Sequence, residues 1–121
     1  MDVPNRTKKP VILRRIAGLI ILTLLCEKNM HGYDIWKKLE RIFDMKVPHP
    51  IVYKILREYE EYGLVKSNWV HDNIGPARKM YSITEDGEEL LRENLDFLKK
   101  MQAILADIVK FIEAKTKIDP N

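Results

Sequence analysis

Two sets of side chains in this 121-residue chain have the types and spacing for binding chemistry. His49, Tyr53, Lys54 and Arg57 recur at intervals of about one helical turn, so on a helix they share one face. Arg78 and Lys79 stand just past a Gly75-Pro76 turn, and Lys37 and Lys38 make a second basic pair. Guanidinium, ammonium, imidazole and phenol groups in such a row suit phosphate oxygens and base edges. Catalysis has no such support. His31, His49 and His71 are scattered, and the sequence has no phosphate-cradling glycine loop or nucleophile motif. Cys26, the single cysteine, excludes an internal disulfide, and no His/Cys cluster has metal-ligand spacing. Neither an enzyme nor a cofactor nor a metal site is expected.

The formal net charge of +3 is too small to name a polyanionic partner, but its distribution is informative. Residues 1–84 carry 15 basic and 9 acidic side chains, net +6, whereas residues 85–121 carry 6 and 9, net −3. Counterion release from a phosphate backbone favours a basic face of the first kind. Glu58, Glu60 and Glu61 oppose it, so the end of their helix is expected to point away from nucleic acid. With 45% apolar and 32% charged residues the composition is that of a globular chain. The length suits one domain with a modest core, which leaves room for support from a partner subunit.

The elements that must position these residues follow from periodicity. Residues 1–10 read as a loose basic arm. Val11 to about Lys28 is helical and apolar on nearly all sides, so it needs cover on more than one side. Its core, Ile16 to Cys26, follows basic residues as a secretory signal does, yet no A-x-A-like site follows it. Eleven residues also fall short of the ~20 that span a bilayer. The segment therefore reads as a core helix of a cytoplasmic chain, with Cys26 a buried apolar filler. After a break at Met30-His31-Gly32, Tyr33 to Phe43 forms a second helix with Ile35, Trp36, Leu39, Ile42 and Phe43 on its buried face. Pro50 opens a third helix, which Gly63 closes near Tyr62, with Val52, Ile55, Leu56 and Tyr59 inward. Val65–His71 and Lys79–Thr84 read as two strands of a hairpin around the turn residues 72–76. Thr84 then caps a last helix from Glu85 to about Lys115. Three helices, a two-stranded β wing and a long C-terminal helix make a mainly α, α+β winged helix-turn-helix. Its domain spans residues 11–84, followed by a dimerisation helix at 85–115 and a tail at 116–121.

On the last helix Leu91, Asn94, Leu98, Met101, Leu105, Ile108 and Ile112 alternate three and four steps apart, an a/d seam polar only at Asn94. Leu90, Phe97, Ile104 and Phe111 add a second row every seven residues. Together they are wider than one surface helix requires, and a second copy of the chain is the economical cover. Leu91, Leu98, Met101, Leu105, Ile108 and Ile112 are the expected dimer contacts.

Three stretches in order resemble the PadR-like group of winged-helix transcriptional regulators. They are Ile21-Leu22-Thr23-Leu24-Leu25 followed by His31-Gly32-Tyr33-Asp34-Ile35; then Val52-Tyr53-x-x-Leu56-x-x-x-x-x-Tyr62-Gly63-Leu64-Val65; and finally Gly75-Pro76-x-Arg78-Lys79-x-Tyr81-x-Ile83-Thr84-x-x-Gly87-x-x-Leu90-Leu91. Three departures fall in or just before the third helix: Pro48-His49-Pro50 precedes it, Lys54 replaces a common proline, and Tyr59 a usual leucine. The resemblance implies a homodimer joined through the C-terminal helix, which packs on the partner's N-terminal helix, and double-stranded DNA as the partner. It also implies that a small hydrophobic effector at the dimer interface is worth considering, with Phe97, Met101 and Phe111 the rings and thioether available. The expected function is sequence-specific DNA binding, as a repressor on a pseudo-palindromic operator. His49, Tyr53, Lys54 and Arg57 would face the major groove, Arg78 and Lys79 the wing side, and Lys37 and Lys38 the backbone. The rival readings are a winged-helix protein–protein module and a non-specific architectural DNA-binding dimer.

Overall fold

A computed structural model describes residues 11–71 and 74–117, with the side chains of residues 13–71 and 74–117. The basic arm at 1–10, the Asp72-Asn73 part of the turn and the tail beyond residue 117 lie outside the described residues. In chain order the elements are α1 (Val11–Glu27), β1 (Met30–His31), α2 (Gly32–Phe43), α3 (His49–Glu61), β2 (Val65–Val70), β3 (Arg78–Ile83) and α4 (Glu85–Thr116).

The wing expected as two strands is a three-stranded antiparallel sheet of order β1-β3-β2. Met30 pairs with Tyr81 and His31 with Met80, so the break before α2 is itself an edge strand. Two residues are too short to show alternation, and the pairing joins positions some fifty residues apart, which is why periodicity misses it. β2 and β3 pair from Val65 opposite Ile83 to Val70 opposite Arg78, which puts Trp69 beside Lys79.

The core gathers where α1, α2, α3 and the sheet meet, around Ile21, Leu22, Ile35, Leu39, Val52 and Leu56. α1 is not covered all round. Ala17, Leu19, Ile21, Leu22, Leu24 and Leu25 are buried, whereas Thr23, Cys26 and Glu27 share an exposed stripe. Cys26 is therefore exposed and not buried filler. Partial desolvation and the nearby Glu88 carboxylate push its thiol up, so it carries little thiolate at neutral pH. Ile42 also departs from expectation, with about half its surface exposed. It lies on the same face as Ile35 but two turns on, beyond the elements that cover Ile35 and Leu39.

The helix ends follow their residue chemistry. Gly63 takes the left-handed conformation after α3, its N–H donating to the Glu60 carbonyl while the Leu64 N–H donates to Tyr59. That pair of bonds is a Schellman closure, and it turns the chain straight into β2. Thr84 caps α4, its hydroxyl accepting from the Gly87 N–H at 3.1 Å. The same hydroxyl donates at 2.6 Å to the Gly63 carbonyl.

Two glycines set how closely helices approach. A Cβ on Gly87 would meet the Leu64 carbonyl oxygen, which is held by the Thr84 N–H. A Cβ on Gly18 would meet the Tyr59 hydroxyl, the far end of a side chain that can swing. Gly87→Ala is expected to cost about 1–3 kcal/mol, since backbone cannot yield. Gly18→Ala should cost less, and Tyr59→Leu should relieve most of that loss. Thermal melts of the two single variants and the Gly18→Ala/Tyr59→Leu pair check this, and equal melting points for the two glycine variants would contradict it.

α4 runs past the rest of the molecule. Leu90 and Leu91 pack against the core. Arg15 of α1 donates to the Asn94 side chain at 2.7 Å and lies 3.8 Å over the Phe97 ring. The first third of the seam is thus used within the chain. Beyond Phe97, Leu105, Ile108 and Ile112 are each about half exposed, and Phe111 is 65% exposed. Among the described residues no helix is long and apolar enough to cross a membrane.

Candidate nucleic-acid interface

α3 begins one residue earlier than the proline rule suggests, with Pro48 as N-cap, His49 as the first helical residue and Pro50 next. Its outward row of His49, Tyr53, Lys54 and Arg57 is exposed throughout, as the spacing requires. The inward row, Val52, Ile55 and Leu56, anchors the helix to the core, so the outward row is presented on a fixed element.

His49 does not stand alone. Its ring centroid lies 3.7 Å from that of Trp36, and Tyr33 and Tyr53 flank it at 6.3 Å each. The Trp36 indole N–H donates to the Val47 carbonyl, which holds that ring against the turn between α2 and α3. Lys37 sits over the same cluster, 5.0 Å from the Trp36 ring and 5.7 Å from Tyr33. The two helices therefore offer one platform at the start of α3, in which packed aromatic rings hold an imidazole and carry a cation on Trp36 and Tyr33. Gly32 permits it, because a Cβ there would run into the Tyr53 ring. Lys38 is half-buried beside Leu39 and lies outside the cluster. Lys54 is exposed, without an ion pair among the described residues.

The wing brings Arg78 and Lys79 to the side of α3. Between them lies an open depression of about 420 Å³, reached by Tyr53, Arg57 and Glu60 from α3 and by Trp69, Arg78 and Lys79 from the wing. Tyr81, His31 and the start of α2 form the rest of its wall. Lys79 lies 5.6 Å over the Trp69 ring, and its carbonyl oxygen accepts from His31 Nδ1 at 2.9 Å. Burial, and after it the Glu60 carboxylate, pushes the Tyr81 phenol up, so it remains a donor at neutral pH.

Glu60 corrects one expectation. Instead of facing away from the basic surface, its carboxylate lies within it, accepting from the Ser67 hydroxyl at 2.5 Å and standing 3.9 Å from the Lys79 ammonium. Glu58 is turned to the other side, where it pairs with Arg14 at 2.6 Å. The helix twist separates these two neighbours, which net charge alone cannot show.

Trp36, Trp69, His31 and Glu60 are not among the binding residues that spacing picks out. Trp36 reads as core by its period, and Trp69 reaches the surface through strand alternation. The aromatic content of both flanks was the available signal.

The model of the transcriptional regulator PadR-like family matches residues 21–93, more than half of the chain. Among solved structures, a candidate transcriptional regulator from Thermoplasma acidophilum is 28% identical with a TM-score of 0.78, over 84% of this chain and 97% of that one. A PadR-like transcription factor from Bacteroides fragilis is 26% identical with a TM-score of 0.69, over 80% and 93% respectively. Bacillus subtilis PadR, in complex with operator DNA, shares the fold at a TM-score of 0.60 and 23% identity, over 66% of this chain and 46% of that one. A search of curated proteins finds no match. The matched span takes in the C-terminal part of α1 and runs through the wing into α4, and with it the chain belongs to the PadR-like family of transcriptional regulators, which are not enzymes.

Proposed function

We propose that this chain is a sequence-specific DNA-binding repressor, acting in the cytoplasm as a homodimer on a pseudo-palindromic operator. The observation that carries the reading is the exposed row His49, Tyr53, Lys54 and Arg57 on an anchored helix, beside Arg78 and Lys79 of the wing. Such a helix suits the major groove, with its N-terminal residues on base edges and the wing cations on phosphates. Lys37, exposed over the Trp36 and Tyr33 rings, suits a backbone phosphate, and Lys38 suits one at the edge of α2. The apolar length of α4 beyond Phe97 suits a second copy, through Leu98, Met101, Leu105, Ile108 and Ile112. Leu91 contributes by seating the helix on its own head. A two-fold dimer would set two heads about 34–36 Å apart, or a multiple of that, and so ask for two half-sites. Occlusion of a promoter by two heads is the least demanding way for such a dimer to act, hence a repressor.

A small hydrophobic effector fits this reading only through the dimer. Arg15 covers Phe97 and Lys115 lies over Phe111, two heptads or about 21 Å further along α4. A second subunit would have to bring such rings together.

Salt-dependent selection of bound genomic fragments tests the reading, with the oligomeric state followed by light scattering. Binding should weaken steeply as salt rises and should survive competition by unrelated duplex. Loss to that competitor would instead favour an architectural DNA-binding dimer. No duplex binding even at low salt would favour a protein–protein module.

Glu60 supplies a further check. Removing one carboxylate from the wing side should strengthen duplex binding by about threefold at low salt, on the scale of a unit charge about 7 Å from a phosphate in water. Titration of Glu60→Gln against a random-sequence duplex measures it, and unchanged or weaker binding would place Glu60 away from the DNA path.

A further inference from the structure

Backbone docking uses only part of the depression between α3 and the wing. DNA contact explains Arg57, Arg78 and Lys79, but it gives no role to the Trp69 ring or to the Glu60 carboxylate, which line the same depression. The groups there are complementary to something with three parts. The rings offer flat apolar walls, with Trp69 68% exposed and Tyr53 36% exposed. The three cations offer an anion site on the rim. The acceptor is the Glu60 carboxylate, and His31 lines the same wall with its Nδ1 turned to the Lys79 carbonyl.

These features discriminate among ligand classes. An inorganic anion would leave the rings unused. A neutral apolar compound would bury the cations and Glu60 without partners, which is costly. An organic cation would meet three cations against one carboxylate. A flat ring bearing amine donors and an attached phosphate uses all three parts. The volume of about 420 Å³ lies in the roughly 300–1,000 Å³ range of small-molecule sites.

We propose that the depression between α3 and the wing binds a free nucleotide whose base carries an exocyclic amine, and that this nucleotide competes with DNA. The base stacks on Trp69 and Tyr53, its amine donates to Glu60, and its phosphate lies on Arg57, Arg78 and Lys79. The competition rests on the DNA-binding reading above, since Arg78 and Lys79 are also assigned to phosphates of the duplex and Arg57 to its major groove.

Isothermal titration of the full-length chain with AMP, adenosine, ribose 5-phosphate and IMP tests the site. AMP should bind at least tenfold more tightly than adenosine or ribose 5-phosphate, and at least fivefold more tightly than IMP, which lacks the amine. Trp69→Ala should weaken AMP at least fivefold, with circular dichroism checking that the exposed substitution leaves the fold intact. Glu60→Gln should weaken AMP while strengthening duplex binding, an opposition that general loss of structure would not produce. AMP, and not ribose 5-phosphate at equal ionic strength, should displace a labelled random-sequence duplex at 50 mM salt. AMP binding no tighter than ribose 5-phosphate or IMP overturns the site and leaves the repressor reading intact. AMP preference without any duplex binding supports the site and overturns the repressor reading together with the competition.

Discussion

Lys54→Ala combined with Arg78→Ala should weaken duplex binding by about ten- to hundredfold while leaving the dimer intact. The two side chains come from opposite flanks of the reading surface, one on the outward face of α3 and one at the start of β3. Each is assigned a charge-assisted contact to the duplex. Losing both costs about 1–3 kcal/mol after solvent screening, a small part of what the contacts would yield in a dry site. If both meet phosphates, the slope of log affinity against log salt should fall by about 2. Neither residue lies near the exposed length of α4, so the oligomer should be untouched. A salt series by fluorescence anisotropy, with light scattering on the same samples, measures both quantities. Unchanged affinity would remove the model in which this head meets DNA.

Leu105→Glu together with Ile108→Glu should convert a dimer into a monomer, with the head still folded. Both side chains are about half exposed in the single chain, so the substitutions leave its core alone. At a two-fold interface every change occurs twice, so four apolar side chains are lost at about 1.5–3 kcal/mol each. The four carboxylates brought into the seam add their desolvation cost. The dissociation constant should rise more than a thousandfold. Deleting residues 95–121 should likewise give a monomer or an aggregate. A well-folded dimer after either change would show that α4 does not carry the interface. Loss of the dimer should also flatten operator binding, because one head alone reads only one half-site.

Most of the frame was legible in the residues themselves. The three-and-four spacing of Ile35 and Leu39, and of Val52, Ile55 and Leu56, marks faces that are buried in the structure. Gly63 and Thr84 mark the end of α3 and the start of α4, because each chemistry serves one kind of helix terminus. The misses share a physical origin. β1 has two residues, and its pairing with β3 depends on a chain reversal far along the sequence. Ile42 and Cys26 have apolar character yet stay exposed, since periodicity records a side chain's face but not how far its neighbours cover it. Glu60 follows the same rule with opposite sign, an acid placed inside a basic surface by the meeting of α3 and the wing.

The sequence by itself determined the order of the four helices and the wing hairpin, the exposed row of α3, the basic head and acidic tail, and the family. These depend on local spacing and on counts, which survive in any conformation. Only the tertiary structure decided that Trp36 stacks on His49, that Trp69 and Glu60 share a depression with Arg57 and Lys79, and that Asn94 and Phe97 are taken by Arg15. Each of these is a contact between separate elements. It exists because close packing and the sheet register bring particular faces together, and no local pattern encodes which face meets which.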